Sequence, residues 1–305
     1  MRSAAIEVGS RAVRLLVADV SSTAIIPIER KVENFDLLRA VADGRGAATL
    51  LDIQRIVDQF KTRAESRGAT KIIAFGTEAL RRIDSTGDLA PLRGVEILSP
   101  QDEAFCSFLS GVNGLKGSLS GNRIVSVDHG NGSLEIAFGT TNAKSQVNDW
   151  RSLSLGSNDL VAMLTDCALN LQQFAAKIAT ELDAAKLPTA SVSDIVIQGS
   201  VSTKIAWITV RPSIEDRYDG DMVHGHRASI DGLRGLIAMI DQKPRNEWSH
   251  LSRVVDPRDK PTDQIHRLVT GCVLFEQLLF RLKLDSFVVS SLGTRHGALW
   301  RLADK

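Results

Sequence analysis

The sequence predicts an α/β chain of two domains, and three observations carry that reading. Strand-like and helix-like segments alternate from end to end, the pattern of sheets covered by helices. A strand–turn–strand unit occurs twice, as AAIEVGSRAVRLLVADV near the start and as IVSVDHGNGSLEIAFG about 120 residues later. The length of 305 residues exceeds the roughly 150 that one domain usually takes. With 43% hydrophobic and 24% charged residues, the chain lies in the globular range and outside the disordered and fibrous ones.

The elements follow in order. Ala4–Val8 and Val13–Val20 read as strands around Gly9-Ser10-Arg11. Leu50–Arg67 places Leu51, Ile53, Ile56, Val57 and Phe60 at helical spacing, with Gly68 as a stop. Lys71–Phe75 is a strand, Thr77–Ile83 a helix start and Val95–Leu98 another strand. Ser99 or Asp102 is placed to cap the next helix, which carries Ala104, Phe105 and Leu109.

At Arg123 the pattern begins again. Ile124–Val127 is a strand, His129-Gly130-Asn131-Gly132 a turn and Leu134–Phe138 the return. Each copy runs strand, acidic residue, Gly turn with a Ser, strand. This internal repeat predicts a boundary near residue 121, giving domains 1–121 and 122–305. Leu160–Leu182 is one long helix or two short ones, and Ile195–Gln198 is a strand running into Gly199-Ser200, with a helix over Thr203–Ile208. Arg227–Asp241 is helical in period, and Lys243–Thr262, with three of the eight prolines, is a loop. Gln264–Leu282 is an apolar helix and Ser286–Ser290 a strand. A last helix from Gly293 (about 293–305) is expected to pack back on the first domain.

Charge bounds the partners. The chain has 37 Lys+Arg against 36 Asp+Glu, divided 16 to 15 over residues 1–121 and 21 to 21 over 122–305. Neither half has the basic excess of a nucleic-acid coat or a membrane-surface binder, so neither partner is expected. Local positive charge at Arg11, Arg14, Arg81 and Arg82 instead suits a small anion gripped at one end. Cys106, Cys167 and Cys272 form no CxxC pair, hence no disulfide framework or zinc knuckle. No window approaches 18 apolar residues, and Glu7 and Arg11 interrupt any signal-peptide core, so the expected compartment is the cytoplasm.

The candidate chemistry lies in the turns. Gly130 and Gly132 let successive backbone N–H groups converge on an anion, with Asn131 between them and the Ser133 hydroxyl beside them. Strand alternation puts Ser133 and Glu135 on one face, so Asp128 and Glu135 are placed to share a divalent cation. Gly9, Ser10 and Arg11, with Glu7 before and Arg14 after, form the matching loop of the first half. Gly199-Ser200 is a third loop, at a helix start whose dipole favours anions. The competing reading is a set of tight turns with solvated acids.

These motifs, in this order, resemble the exopolyphosphatase and guanosine-pentaphosphate phosphohydrolase family, within the actin-like, Hsp70-like and sugar-kinase-like superfamily. Its opening loop, Ile-Asp-x-Gly-Ser-Asn-Ser-x-Arg-Leu, is matched by Ile6, Gly9, Ser10, Arg14 and Leu15, while Glu7, Arg11 and Ala12 depart. Ala-Thr-x-Ala-Leu-Arg is similar to Gly76–Arg81, and Ser-Gly-x-x-Glu-Ala to Ser99–Ala104. Asp-x-Gly-Gly-Gly-Ser-Thr-Glu keeps Asp128, Gly130, Gly132, Ser133 and Glu135 but has Asn131 and Leu134 in place of Gly and Thr. Arg151–Leu160 resembles the Ser-Leu-x-Leu-Gly segment, and Gln198-Gly199-Ser200 stands for Gly-Gly-Thr. Gly293-Thr294-Arg295-His296-Gly297 looks like Leu-Arg-Glu-Gly with His296 for Glu, and His266 stands for an Asp before the last long helix. The resemblance covers nearly the whole chain and only the family's two core domains.

The resemblance implies two actin-like (ribonuclease H-like) domains with a ligand cleft between them, and hydrolysis of terminal phosphate from short polyphosphate or a guanosine polyphosphate. Glu103 is the implied general base and Arg81 a phosphate contact. Mg²⁺ is implied at Asp128 and Glu135. A homodimer is also implied. The departures at Glu7, Arg11, Asn131 and Gln198 keep a second reading open, a phosphate- or nucleotide-binding sensor without turnover. A kinase or ATPase of the same superfamily is the third.

Overall fold

The computed structural model describes residues 1–84, 89–141, 145–188, 191–210, 218–242 and 261–303. In chain order the first elements are β1 (Arg2–Val8), β2 (Ala12–Val20), β3 (Ile25–Asn34), α1 (Leu37–Ala42) and α2 (Gly46–Ser66). They are followed by β4 (Lys71–Gly76), α3 (Glu78–Asp84), β5 (Glu96–Ile97) and α4 (Pro100–Gly114). Next come β6 (Arg123–His129), β7 (Leu134–Thr140), β8 (Gln146–Leu153), α5 (Ser157–Asp166), α6 (Leu171–Ala184), β9 (Asp194–Gln198) and α7 (Ser200–Val210). The chain closes with β10 (Arg227–Ser229), α8 (Ile230–Asp241), α9 (Pro261–Leu282), β11 (Ser286–Ser290) and α10 (Thr294–Ala303). It divides into two compact units, Met1–Asn113 with Thr294–Lys305, and Gly114–Gly293.

The first unit is built on a five-stranded sheet in the order β3-β2-β1-β4-β5. β1 and β2 are buried on both faces except at Arg2, Glu7, Arg14 and Asp19, as strands covered on both sides are. One face takes α2, whose Leu50, Ile53, Val57, Phe60 and Ala64 pack with Ala4, Ile6, Val8, Val13, Leu15 and Val17. The alternate residues of β1 and β2 face α10. Gly297 makes that helix's seat on α4 possible, because a Cβ there would lie 1.8 Å from the Cys106 carbonyl oxygen. A buried Ser107–Thr294 hydroxyl pair at 3.1 Å and an Arg301–Asp102 ion pair at 2.6 Å continue the seam. Ser99 caps α4 as expected, its hydroxyl accepting from the Asp102 backbone N–H at 3.0 Å.

The second unit repeats the plan. Its sheet runs β10-β11-β9-β6-β7-β8, with β6, β7 and β8 antiparallel and β9 and β11 parallel to β6 on the other side. β1, β2, β3, β4 and β5 are therefore matched in order and direction by β6, β7, β8, β9 and β11. α5, α6, α7, α8 and α9 bury Leu160, Phe174, Ile205, Leu236 and Phe275 in one core with Val127, Ile136 and Ile197.

Several expectations are corrected. Arg227–Asp241 is not one helix: its first three residues form β10 before α8 begins. Leu160–Leu182 takes the second of its two expected forms, two helices (α5 and α6), because Ala168 and Leu169 take positive φ and Asn170 caps α6 through the Gln173 N–H. The helix expected from Thr203 begins at Ser200. Of the loop expected over Lys243–Thr262, residues 243–260 lie outside those described, while Pro261 and Thr262 open α9. β3, β8 and β10 come as additions.

Candidate active site

The first glycine loop closes on one backbone bond, Gly9 N–H to Ala12 C=O at 3.0 Å. The Ser10 and Arg11 carbonyls accept from Leu37 and Phe35, so the lead-in to α1 braces the loop from outside. At its base Glu7 and Arg14 are directly opposed across β1 and β2. Arg14 Nη1 lies 4.0 Å from Glu7 Oε2, and Arg295 Nε, from the first turn of α10, lies 3.1 Å from the same oxygen. A Cβ on Gly9 would sit 3.3 Å from Arg14 Nη1, so the arginine folds along the loop. Burial pushes Arg295 down to about 10; Glu7 opposes that shift, and the charges of Arg14 and Arg30 add to it.

Glu103 lies one turn into α4 and is 7% exposed. Arg81, on α3, donates from Nη1 to Glu103 Oε2 at 2.7 Å and to the Leu98 carbonyl at 2.8 Å. One guanidinium thus fixes both the acid and the backbone that leads into its helix. A bond to a charged partner of this kind is worth about 1.5–3 kcal/mol, so the carboxylate is held in one place.

The second glycine loop closes like the first, Gly130 N–H to Ser133 C=O at 3.1 Å. It is clasped by the start of α5: Ser157 and Asn158 N–H donate to the Gly130 and Asn131 carbonyls, each at 3.0 Å. Gly156 lies so close that a Cβ would be 2.4 Å from the Gly132 carbonyl carbon. The Asn131 side-chain oxygen accepts from Ser157 Oγ at 3.0 Å, and Arg267 of α9 donates to that hydroxyl at 2.7 Å. Asp128 and Glu135 are directly opposed across β6 and β7, and buried Glu135 accepts from Ser152 Oγ at 3.0 Å.

Two neighbouring carboxylates suit magnesium, which takes one or two protein oxygens and keeps water in its other positions. Among the described residues no group of three or more His, Cys, Asp or Glu could hold a metal ion, so a zinc-type ligand set is not found there. His129, at the end of β6, is buried with its ring edge-on to Phe275 at 5.5 Å. Burial first, and the nearby Arg267 charge second, push its pKa down to about 4.

The third loop meets the second inside the same unit. Gly199 has φ +107°, and a Cβ there would be 2.4 Å from the His129 carbonyl oxygen. Gln198 is not a loop residue: it ends β9, buried, donating to Ser126 Oγ at 2.7 Å. Ser200 is exposed at the start of α7.

The structure therefore joins Glu7 to Arg14, Arg81 to Glu103, Asp128 to Glu135, and Gly199 to the strand before the second loop. Arg295, Ser157 and Arg267 were missed. Arg295 was within reach of sequence reasoning, in the Gly-Thr-Arg-His-Gly segment, but its partner is 288 positions away and no local pattern points to it.

Exopolyphosphatase 1 of Mycobacterium tuberculosis is 27% identical to this chain over 320 residues, covering all of this chain and 89% of that protein. Exopolyphosphatase 1 of Mycobacterium leprae is 26% identical over the same length, with 90% of it covered. Among solved structures, the Aquifex aeolicus Ppx/GppA enzyme matches with a TM-score of 0.77 at 23% identity, over 99% of both chains. An exopolyphosphatase from Cytophaga hutchinsonii matches with a TM-score of 0.69 at 17% identity, over 100% of this chain and 98% of that one. The fold is the two-domain actin-like α/β fold of those structures. Residues 16–305 match the Ppx/GppA phosphatase family, and the chain belongs to it.

Proposed function

We propose that the chain is a magnesium-dependent hydrolase that releases terminal phosphate from short polyphosphate or a guanosine polyphosphate, with Glu103 as general base. Family membership supports a phosphoanhydride hydrolase acting on polyphosphate. The observation that carries the finer reading is the buried Glu103 carboxylate, fixed by Arg81 at 2.7 Å near a helix start.

In this reading a water attacks the terminal phosphorus in line with the bridging oxygen and gives its proton to Glu103. The bridging P–O bond breaks, orthophosphate leaves, and the chain ends one phosphate shorter. Phosphoryl transfer asks for positioning and charge neutralisation more than covalent work. Arg81 holds Glu103 in place and offsets charge on the phosphoryl oxygens. N–H groups of Ser10, Arg11, Asn131, Gly132 and Ser133, with Gly199 and Ser200, bind phosphate oxygens, while the Gly9 and Gly130 N–H groups close their own turns and shape the loops. Magnesium held by Asp128 and Glu135 would neutralise negative charge there.

The test is phosphate release from polyphosphate and from guanosine pentaphosphate by the full chain with Mg²⁺. The expected result is release by wild type and a fall of about 1,000-fold in Glu103→Ala. Release no greater than that of the variant would end the hydrolase reading. One observation favours the sensor reading as runner-up: Glu7, where the family has Asp, is already engaged by Arg295. That reading expects phosphate binding that survives loss of Glu103, without turnover.

A further inference from the structure

We infer that the outer edge of β3, centred on Val32, pairs with the same edge of a second copy of this chain. The two strands run antiparallel about a two-fold axis, and two five-stranded sheets join into one.

The edge is long and open. β3 is an outer strand of ten residues, on which Ile26, Ile28 and Val32 are 61%, 41% and 50% exposed. Proteins usually protect such an edge with proline, bulges or charge. Here proline and bulge stand at one end. Pro27 has no N–H to give, and the register with β2 slips between Pro27 and Glu29, leaving Ile28 as a bulge. From Glu29 to Asn34 the pairing with β2 is regular.

One bond decides which backbone groups look outward. Phe35 N–H donates to the Arg11 carbonyl at 3.0 Å. In an antiparallel ladder hydrogen-bonded pairs alternate with open ones, so Glu33–Val13 and Lys31–Leu15 are bonded and Val32–Arg14 is open. The N–H and C=O of Val32 therefore point away from β2, toward the edge.

Charge then selects the partner and the register. A two-fold axis perpendicular to the sheet sets one residue of the strand against its own copy. With Lys31 on the axis, Lys31 meets Lys31 and Glu29 meets Glu33. With Glu33 on it, Glu33 meets Glu33. An axis nearer the start of the strand draws the bulge into the ladder. With Val32 on the axis, Lys31 opposes Glu33 twice, Arg30 comes opposite Asn34, and two half-exposed valines pack together. Only this register opposes unlike charges without the bulge. A ladder of five residues from each copy is a small interface, so the association is weak and depends on concentration.

The test is sedimentation equilibrium of the full chain from micromolar to millimolar concentration. Wild type is expected to dimerise reversibly. Lys31→Glu and Glu33→Lys each set like charges together twice, and each is expected to raise the dimer dissociation constant at least about tenfold. The double variant Lys31→Glu, Glu33→Lys restores both pairs and is expected to return within about threefold of wild type. Register is checked by cross-linking. Cys106, Cys167 and Cys272 are buried, so Val32→Cys supplies an accessible thiol where the chain has none. Its Cα lies about 5.5 Å from its copy, within disulfide reach, and diamide should link the two. Ile26→Cys, equally accessible but roughly 40 Å from its copy in this register, should stay unlinked. A wild type that stays monomeric overturns the inference. So does a dimer that the single reversals leave unchanged, one that the double variant does not restore, or equal linking of the two cysteine variants. None of these residues has a part in phosphate release, so the outcome is independent of the proposed function.

Discussion

The two glycine hairpins share strand directions, a four-residue turn and the same closing bond, Gly9 to Ala12 and Gly130 to Ser133. They differ in what stands at matching positions. Glu7 faces Arg14 where Asp128 faces Glu135, and Val8 stands where His129 does. The backbone plan is kept while the chemistry diverges: one hairpin compensates its acid with arginine, and the other pairs two acids suited to a cation. A duplicated scaffold can thus supply positive charge from side chains in one copy and recruit it from solution in the other.

The comparison breaks most visibly at its acids. Glu103→Gln should cost about 1,000-fold in phosphate release, whereas Glu7→Gln, which removes only a positioning group, should cost less than about tenfold. Steady-state rates on polyphosphate with Mg²⁺ check both. A larger loss from Glu7→Gln than from Glu103→Gln would reverse the assigned roles.

The next effect is on stability. In Gly297→Ala the new methyl meets the Cys106 backbone, which cannot rotate away, so α10 must lift off α4. We expect a loss of about 3 kcal/mol, read as a melting-temperature drop of roughly 10 °C. A variant as stable as wild type would show that α10 is not seated as described.

The third effect separates the units by pH. His129 is kept neutral, its pKa lowered from 6.5 to about 4. Between those values the unfolded chain takes up a proton that the folded one refuses, so stability falls as pH drops through that window. The contribution of this group is at most about 3 kcal/mol. Denaturant titrations at pH 7 and 4.5 should show His129→Val, which copies the first hairpin, losing less on acidification than wild type. Parallel losses would contradict the account.

The smallest effect belongs to Asn131→Gly, which restores the glycine of the family pattern. It removes the bond from Ser157, worth about 1 kcal/mol, and should change KM by less than about threefold.

Much of this was legible in the sequence, because periodic burial writes itself locally. Ile53, Val57 and Phe60 mark α2, although Leu51, expected on the same face, is exposed and Leu50 is buried instead; Ser99 caps α4, and the two hairpins announce themselves as a repeat. β3 was not legible. It is an edge strand largely exposed on both faces, with Pro27 and a Glu29-Arg30-Lys31 run where alternation should be. Glu29 belongs to α2 instead, bonded by Arg63 at 2.9 Å and Arg67 at 2.8 Å, and those bonds pull its carboxyl down to about 2. The glycine loops could be read because backbone geometry selects residue types. The arginines that complete them could not, because Arg295 reaches Glu7, and Arg267 reaches Ser157, only through tertiary packing.

The division between the hairpins is tested most directly by Mn²⁺ binding to the full chain, followed by electron paramagnetic resonance. The account predicts one ion bound by wild type, kept in Glu7→Gln and lost in Asp128→Asn. Retention in Asp128→Asn, or loss in Glu7→Gln, would contradict it.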